Sequence, residues 1–94
     1  MFDVTVNEKG EIQLSGRFDA SQVEKAKKAF DQLTTSSTVD MKDLEYISSA
    51  GLAVLLATQK RLSESGKGLK LINMSKYVGN VFRYAGFDVI FEIQ

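Results

Sequence analysis

The chain has 94 residues, twelve Lys+Arg against twelve Asp+Glu, and neither His nor Cys. That length holds one hydrophobic core, and 44% hydrophobic with 26% charged residues is the balance of a folded globule rather than a disordered segment. Zero formal charge supplies no broad field for nucleic acid or an anionic membrane, and without Cys or His there is no disulfide, no thiolate nucleophile, no Ser-His-Asp triad and no usual transition-metal site. Phe2, Val4 and Val6 alternate with Asp3, Thr5 and Asn7, the period of a half-buried strand. Glu8-Lys9-Gly10 reads as a turn, and Ile12 and Leu14 resume the alternation, so the two strands should form a hairpin with Gly10 at positive φ. Gly16-Arg17-Phe18-Asp19 leads into a first helix, capped by Asp19 or Ser21, with Ser21-x-x-Glu24 as a capping box. Val23, Ala26, Phe30 and Leu33 share one face of it, and the polar run Thr34 to Ser37 should close it.

Thr38-Val39-Asp40-Met41 is a short strand, after which a loop leads to a second helix beginning near Ser49. Leu52, Leu55, Leu56, Gln59 and Leu62 mark that helix, which should end by Gly66. Residues 69–73 form a strand, and Ser75 heads a third helix to about Ala85 whose buried face is Val78, Val81, Phe82 and Ala85. Gly86 stops it, and residues 89–93 are a last strand. The order ββαβαβαβ predicts a single α/β domain over residues 1–94. Strands joined through helices imply a mixed sheet with right-handed crossovers and helices packed mainly on one face.

The segment from Asp40 to Leu52 carries the most chemistry. Ser48, Ser49 and the small Ala50-Gly51 pair crown a helix start. Such an end presents unpaired N–H donors and about half a unit of positive charge, which favours a phosphate. Two roles stay open for the serines: one caps the helix, and one is a modifiable hydroxyl left sterically free by its small neighbours. Asp40, Asp43 and Glu45 read as acids exposed on a loop rather than as a metal site, since no calcium-loop spacing is present. Lys25, Lys27 and Lys28 read as the solvated face of the first helix rather than a nucleic-acid patch. Gly66-Lys67-Gly68 lacks the Walker spacing, so the chain itself has no ATP site and no implied cofactor. No stretch approaches the roughly 20 apolar residues that span a bilayer. The opening MFDVTVNEKG carries Asp3 and Glu8 and is not a signal peptide. A cytoplasmic, non-enzymatic protein is expected.

The run VDMKDLEYISSAGLAVLLATQKRL resembles the signature of STAS domains, specifically of bacterial anti-sigma factor antagonists. GRFDAS and VGNVFRYAGFDVIFEI extend the resemblance in order over essentially the whole chain. In that family the second helix starts on a D-S-[ST]-G-L stretch whose first serine, two residues before the glycine, accepts phosphate from a partner kinase. The resemblance puts that role on Ser49. It matches Asp40 to the family's acidic residue at the end of the preceding strand, and Gly16 and Asp19 to its Gly-x-x-Asp. The partner surface it implies comprises Asp19, Asp40, Ser48, Ser49, Ala50, Gly51 and Leu52. Two departures stand out. Ser48 replaces the usual Asp, which makes it a competing acceptor, and the chain stops at Gln94 where the family commonly adds a helix. The resemblance implies a protein that binds an anti-sigma factor, itself a serine kinase, and so releases a sigma factor. Phosphorylation at Ser49 would end that binding and a serine phosphatase would restore it, with no direct contact to nucleic acid. The alternative is a constitutive STAS interaction subunit of a transporter-associated or sensory complex, without a phospho-switch. A small enzyme is a third reading, disfavoured by the missing His and Cys.

Overall fold

Asn7 builds the first turn. Its side-chain oxygen accepts the backbone N–H groups of Lys9 and Glu11, both at 2.9 Å, and Gly10 takes φ +80° as expected. The turn joins β1 (Asp3–Val6) to β2 (Ile12–Phe18) as an antiparallel hairpin. These and all later elements come from a computed structural model describing residues 1–94. Only the start of the first alternation is fully buried. Phe2 stacks on Phe18 at 4.6 Å between ring centres, whereas Val6 is 66% exposed beside the hairpin turn. β2 runs through Phe18 rather than ending after Leu14, and buries Ile12, Leu14, Gly16 and Phe18 on one face.

The first helix begins differently from the sequence expectation. Asp19 caps a short 3-10 turn, Ala20–Gln22, by accepting the Ser21 N–H, and α1 (Val23–Phe30) follows directly. The Ser21 hydroxyl donates to the same Asp19 carboxylate, so the Ser21–Glu24 capping box is not made. α1 ends at Phe30, before the Thr34–Ser37 run, and Arg61 from the next helix binds carbonyls at and just beyond that end. The guanidinium donates to the carbonyls of Phe30 at 2.9 Å and Leu33 at 2.8 Å, which satisfies groups that a helix end leaves unpaired.

The largest departure is β3 (Ser37–Ile47), an eleven-residue strand where a short strand and a loop were expected. Its parallel register with β2 slips between Gln13 and Ser15, and again between Gly16 and Arg17. Each slip is a β-bulge that places one extra residue on β3. Core positions on this strand therefore run Val39, Met41, Leu44, Ile47, and the wider spacing hides the strand from a search for strict alternation. Asp43 and Glu45 are thus exposed strand residues and Asp40 is buried at 8% exposure, which corrects the reading of all three as loop acids.

β4 (Leu69–Ile72) pairs in parallel with Ser37–Asp40. α2 (Ser49–Ser63) connects β3 to β4, and α3 (Lys76–Tyr84) follows, capped by the Ser75 hydroxyl on the Val78 N–H. Val78 and Phe82 form the buried face of α3 as expected, whereas Ala85 is exposed. The last strand, β5, is only Glu92–Ile93, because Phe87–Val89 forms a second 3-10 turn. Phe91 then packs edge-on against Phe82 at 5.7 Å, while Tyr84 is 90% exposed.

The five strands lie in the order β1-β2-β3-β4-β5, the first pair antiparallel and the rest parallel. Every parallel crossover advances one strand in the same direction, so right-handed connections bring the helices to one side of the sheet. Burial alternates accordingly along β2 and β4: Ile12, Leu14, Leu69 and Leu71 are buried, and Gln13, Ser15, Arg17 and Lys70 face the other side, half-buried or exposed. One cluster of buried hydrophobic residues runs from Phe2 to Phe91, so there is a single core. No helix is long and apolar enough to cross a membrane.

The chain start is clamped over β2. Gly16 has φ +80°, and a Cβ there would lie 1.5 Å from the Met1 carbonyl oxygen. Gly10 has the same φ but open space around it. Gly10→Ala should therefore cost about 1–2 kcal/mol, the left-handed backbone penalty alone. Gly16→Ala should cost about 1–3 kcal/mol more, from the added overlap. Urea unfolding of the two variants checks the difference.

Candidate functional site

One hydrogen bond carries the second helix to its place. The Ser48 N–H donates to the Phe18 carbonyl at 2.9 Å, tying the chain just after β3 to the end of β2. Ser48 is extended, at φ −90° and ψ 171°, and its hydroxyl accepts the Gly51 N–H at 3.2 Å. Its carbonyl accepts the Leu52 N–H at 2.9 Å, the first turn of α2. Ser48 is thus the helix cap. Ser49 is the first helical residue, exposed, and its hydroxyl makes no hydrogen bond within the chain. The capping role thus falls on Ser48, and Ser49 keeps a free, exposed hydroxyl.

The neighbours divide into surface and support. Ala50 is half-buried, whereas Gly51 and Leu52 are buried. A Cβ on Gly51 would lie 2.9 Å from Ile47 Cγ1 and 3.0 Å from the Phe18 carbonyl oxygen. Gly51 therefore permits the close approach of α2 to the strands beneath, and Leu52 anchors it. The first turn of α2 contains no acidic residue, so the positive end of its dipole is not offset by a neighbouring carboxylate. An open cleft of about 470 Å3 between α1 and α2 begins at Ala50 and continues past Ala53 and Ala57 to Arg61.

Asp19 belongs to this corner, because it directly follows the Phe18 that holds Ser48. The Ser21 hydroxyl donating to its carboxylate holds Asp19 below the usual carboxylate range, against some desolvation, and the Ser21 N–H and the charge of Arg17 add to the effect. Asp40 does not belong to it. Asp40 lies seven positions before Ile47 along the strand, which at ~3.3 Å per residue sets it roughly 20 Å from the helix start. Its carboxylate accepts the Lys42 N–H at 3.0 Å and the Asn73 side-chain amide at 3.1 Å. The first bond satisfies a backbone donor within the first bulge of β3. The second ties β3 to the turn before α3, where Asn73 adopts φ +59°. Burial pushes the Asp40 carboxyl up, but the Lys42 N–H, the Asn73 amide, the Lys42 charge and Gln13 together hold it below the usual range.

Reasoning from sequence missed a second group beside the site. The Arg17 guanidinium lies 4.2 Å from the centre of the Tyr46 ring, and Tyr46 stacks on Tyr77 of α3 at 6.4 Å. Arg17 and Tyr46 are directly paired across β2 and β3. That pairing depends on the second bulge, so strand alternation alone gives no signal for it.

The two serines should separate in a stability measurement. Ser48→Ala should cost about 1 kcal/mol through the lost cap, and Ser49→Ala should stay within about 0.5 kcal/mol of the parent, as read by urea or thermal unfolding. Asp40→Ala should cost about 1–3 kcal/mol at neutral pH, because it leaves the Lys42 N–H and the Asn73 amide without their acceptor. A carboxyl held below its unfolded-state range stabilises the fold above the unfolded pKa of about 4, and that contribution disappears as pH falls through the folded value. The gap between parent and Asp40→Ala should therefore be full near neutrality and close on acidification below about pH 4, as read by urea melts across a pH series.

Comparison with known proteins agrees with this architecture. The family model described as "Mlab, STAS domain" matches residues 3–92. The anti-sigma-B factor antagonist of Bacillus subtilis is 29% identical over 91 residues, covering 97% of this chain and 81% of its own. A putative anti-sigma factor antagonist of Bordetella bronchiseptica, BtrV, is 40% identical over 55 residues. That match covers 58% of this chain and 47% of the relative. Among solved structures, a putative anti-sigma factor antagonist from Thermotoga maritima superposes with a TM-score of 0.79 at 22% identity, over 98% of this chain and 84% of its own. Phosphorylated SpoIIAA, a Bacillus cell fate determinant, superposes at 0.71 with 17% identity, over 100% of this chain and 91% of its own. With a matching family model over nearly its whole length and the same five-stranded fold, the chain belongs to the STAS domain family.

Proposed function

We propose that this chain is an anti-sigma factor antagonist whose binding is switched by phosphorylation at Ser49. The observation that carries the proposal is the division of labour at the start of α2: Ser48 is spent on the cap, and Ser49 presents a free, exposed hydroxyl one residue later. The relatives named as anti-sigma factor antagonists support the same reading. In the unmodified state the corner of Asp19, Ser49 and Ala50 contacts an anti-sigma factor that is also a serine kinase. This frees a sigma factor in the cytoplasm. The kinase supplies ATP chemistry: the Ser49 oxygen bonds to the γ-phosphorus, the bond from that phosphorus to ADP breaks, and the serine proton leaves to a base on the kinase. The chain is substrate rather than enzyme, and a serine phosphatase hydrolyses the ester to restore it.

A phosphate on Ser49 adds a charge of about −2 at a helix N-terminus, which tolerates it, so the fold survives modification. Placed in a contact surface with no facing cation, the same charge costs binding through repulsion and desolvation. The uncommitted, exposed hydroxyl of Ser49 favours it over Ser48, whose half-buried hydroxyl already accepts the Gly51 N–H. A constitutive STAS interaction subunit is the second reading. It is favoured by Ser48 standing where the resembling antagonists usually carry Asp.

Incubation with the cognate kinase and ATP, followed by mapping of phosphate by mass spectrometry, should place the modification on Ser49 and not on Ser48. Ser49→Asp should weaken binding to the kinase about 100-fold or more, equivalent to about 3 kcal/mol or more. Unchanged binding by Ser49→Asp and Ser49→Ala alike, together with no modification, would favour the constitutive reading.

A further inference from the structure

We infer that Arg17 is the specificity determinant of the partner-facing surface, holding a carboxylate side chain of the anti-sigma factor in a two-pronged grip. The inference rests on the function proposed above and names the chemistry of the contact. The chain has three arginines. Arg61 is spent on the Phe30 and Leu33 carbonyls, and Arg83 on the Asn80 side chain. Arg17 is exposed and has neither a hydrogen-bond acceptor nor an ion-pair partner within the chain. The nearer lysines of α1 are engaged in part: Lys25 reaches the Phe2 carbonyl and Asp3, and Lys27 lies 3.9 Å from Asp31.

Arg17 is also held in place. Its guanidinium rests 4.2 Å from the centre of the Tyr46 ring, and Tyr46 is braced by stacking on Tyr77. Three elements, β2, β3 and α3, thus fix one planar cation at an exposed position. An aromatic ring satisfies the face of a guanidinium and leaves its edge donors free. The free edge of a fixed guanidinium matches a carboxylate through two parallel hydrogen bonds, at little entropic cost. Arg17 adjoins Phe18, whose carbonyl holds Ser48, and it precedes Asp19 by two residues. A partner seated on Ser49 and Asp19 therefore meets this cation at its margin. With a net charge of zero, the chain has no general attraction for an acidic partner, so a contact of this kind selects by local geometry.

The test is a titration of the cognate anti-sigma factor kinase against the parent chain, Arg17→Ala, Arg17→Lys, Tyr46→Leu and Ser49→Asp, each over a series of salt concentrations. Arg17→Ala should weaken binding about 10–100-fold, the range for hydrogen bonds to charged groups, and should flatten the salt dependence. Arg17→Lys should keep the salt dependence yet recover only part of the affinity, because a point charge lacks the fork. Tyr46→Leu should lose a smaller factor by freeing the guanidinium. The melting temperature of the Arg17 variants should match that of the parent. Replacing the facing acid of the partner with Arg should restore binding to Arg17→Glu. Binding by Arg17→Ala within twofold of the parent, with Ser49→Asp still weak, would overturn this inference and leave the switch standing. Equal binding by Arg17→Lys and parent would likewise overturn it, since a diffuse charge would then suffice. No binding by the parent chain itself would overturn both readings.

Discussion

The bond from the Ser48 N–H to the Phe18 carbonyl is the constraint on which the functional corner depends. It joins two chain segments thirty residues apart in sequence, at the one place where β2, β3 and α2 come together. A backbone hydrogen bond contributes only about 1 kcal/mol net, so its importance is geometric rather than energetic. With Ser48 held in extended conformation, its hydroxyl is aimed at the Gly51 N–H, and the next residue enters the helix with its side chain outward. Gly51 allows this approach, since any side chain there would press on Ile47 and on the very carbonyl that holds Ser48. Cap, close packing and exposed serine are one arrangement seen from three residues.

A second constraint lies further down the sheet. Asp40 is a nearly buried acid that is not paired with a cation, and its cost is offset by directed donors from the β3 bulge and from Asn73. Desolvation alone would favour the neutral form, and the donors reverse that preference. The result is a joint between β3 and the turn before α3. Tyr77 sits in the first turn of the helix that this joint positions, and so meets Tyr46. The residue that resemblance matched to the family's strand-end acid thus ties β3 to the start of the helix that carries Tyr77.

What the sequence revealed, and what it hid, follow from the same physics. The order of elements was legible because each helix has an apolar face at helical spacing and each buried strand a run of branched residues. Gly10, Ser75 and the Ser48–Ser49 pair declared themselves through turn and cap chemistry. The second half of β3 did not, because two bulges stretch its core spacing to Met41, Leu44, Ile47, a pattern closer to one turn of helix than to a strand. The same bulges pair Arg17 with Tyr46, which is why that contact had no counterpart in the motif reading. The last strand was overestimated for a different reason: Val89 and Ile90 have strand-like side chains, but a 3-10 turn carries them into solvent. Resemblance named Ser49, while only the geometry assigned the cap to its neighbour.

The strand order has a consequence for how the protein assembles. Since spatial order follows chain order across the whole sheet, no strand has to be threaded between two that are already paired. Sequence-local pairing of this kind lowers the loop-closure cost of each step and favours rapid folding. A chain emerging from the ribosome can add each strand to a growing edge. The Phe18–Ser48 bond is complete by about the middle of the chain, so the corner that carries Ser49 can form before β4 and β5 have been synthesised.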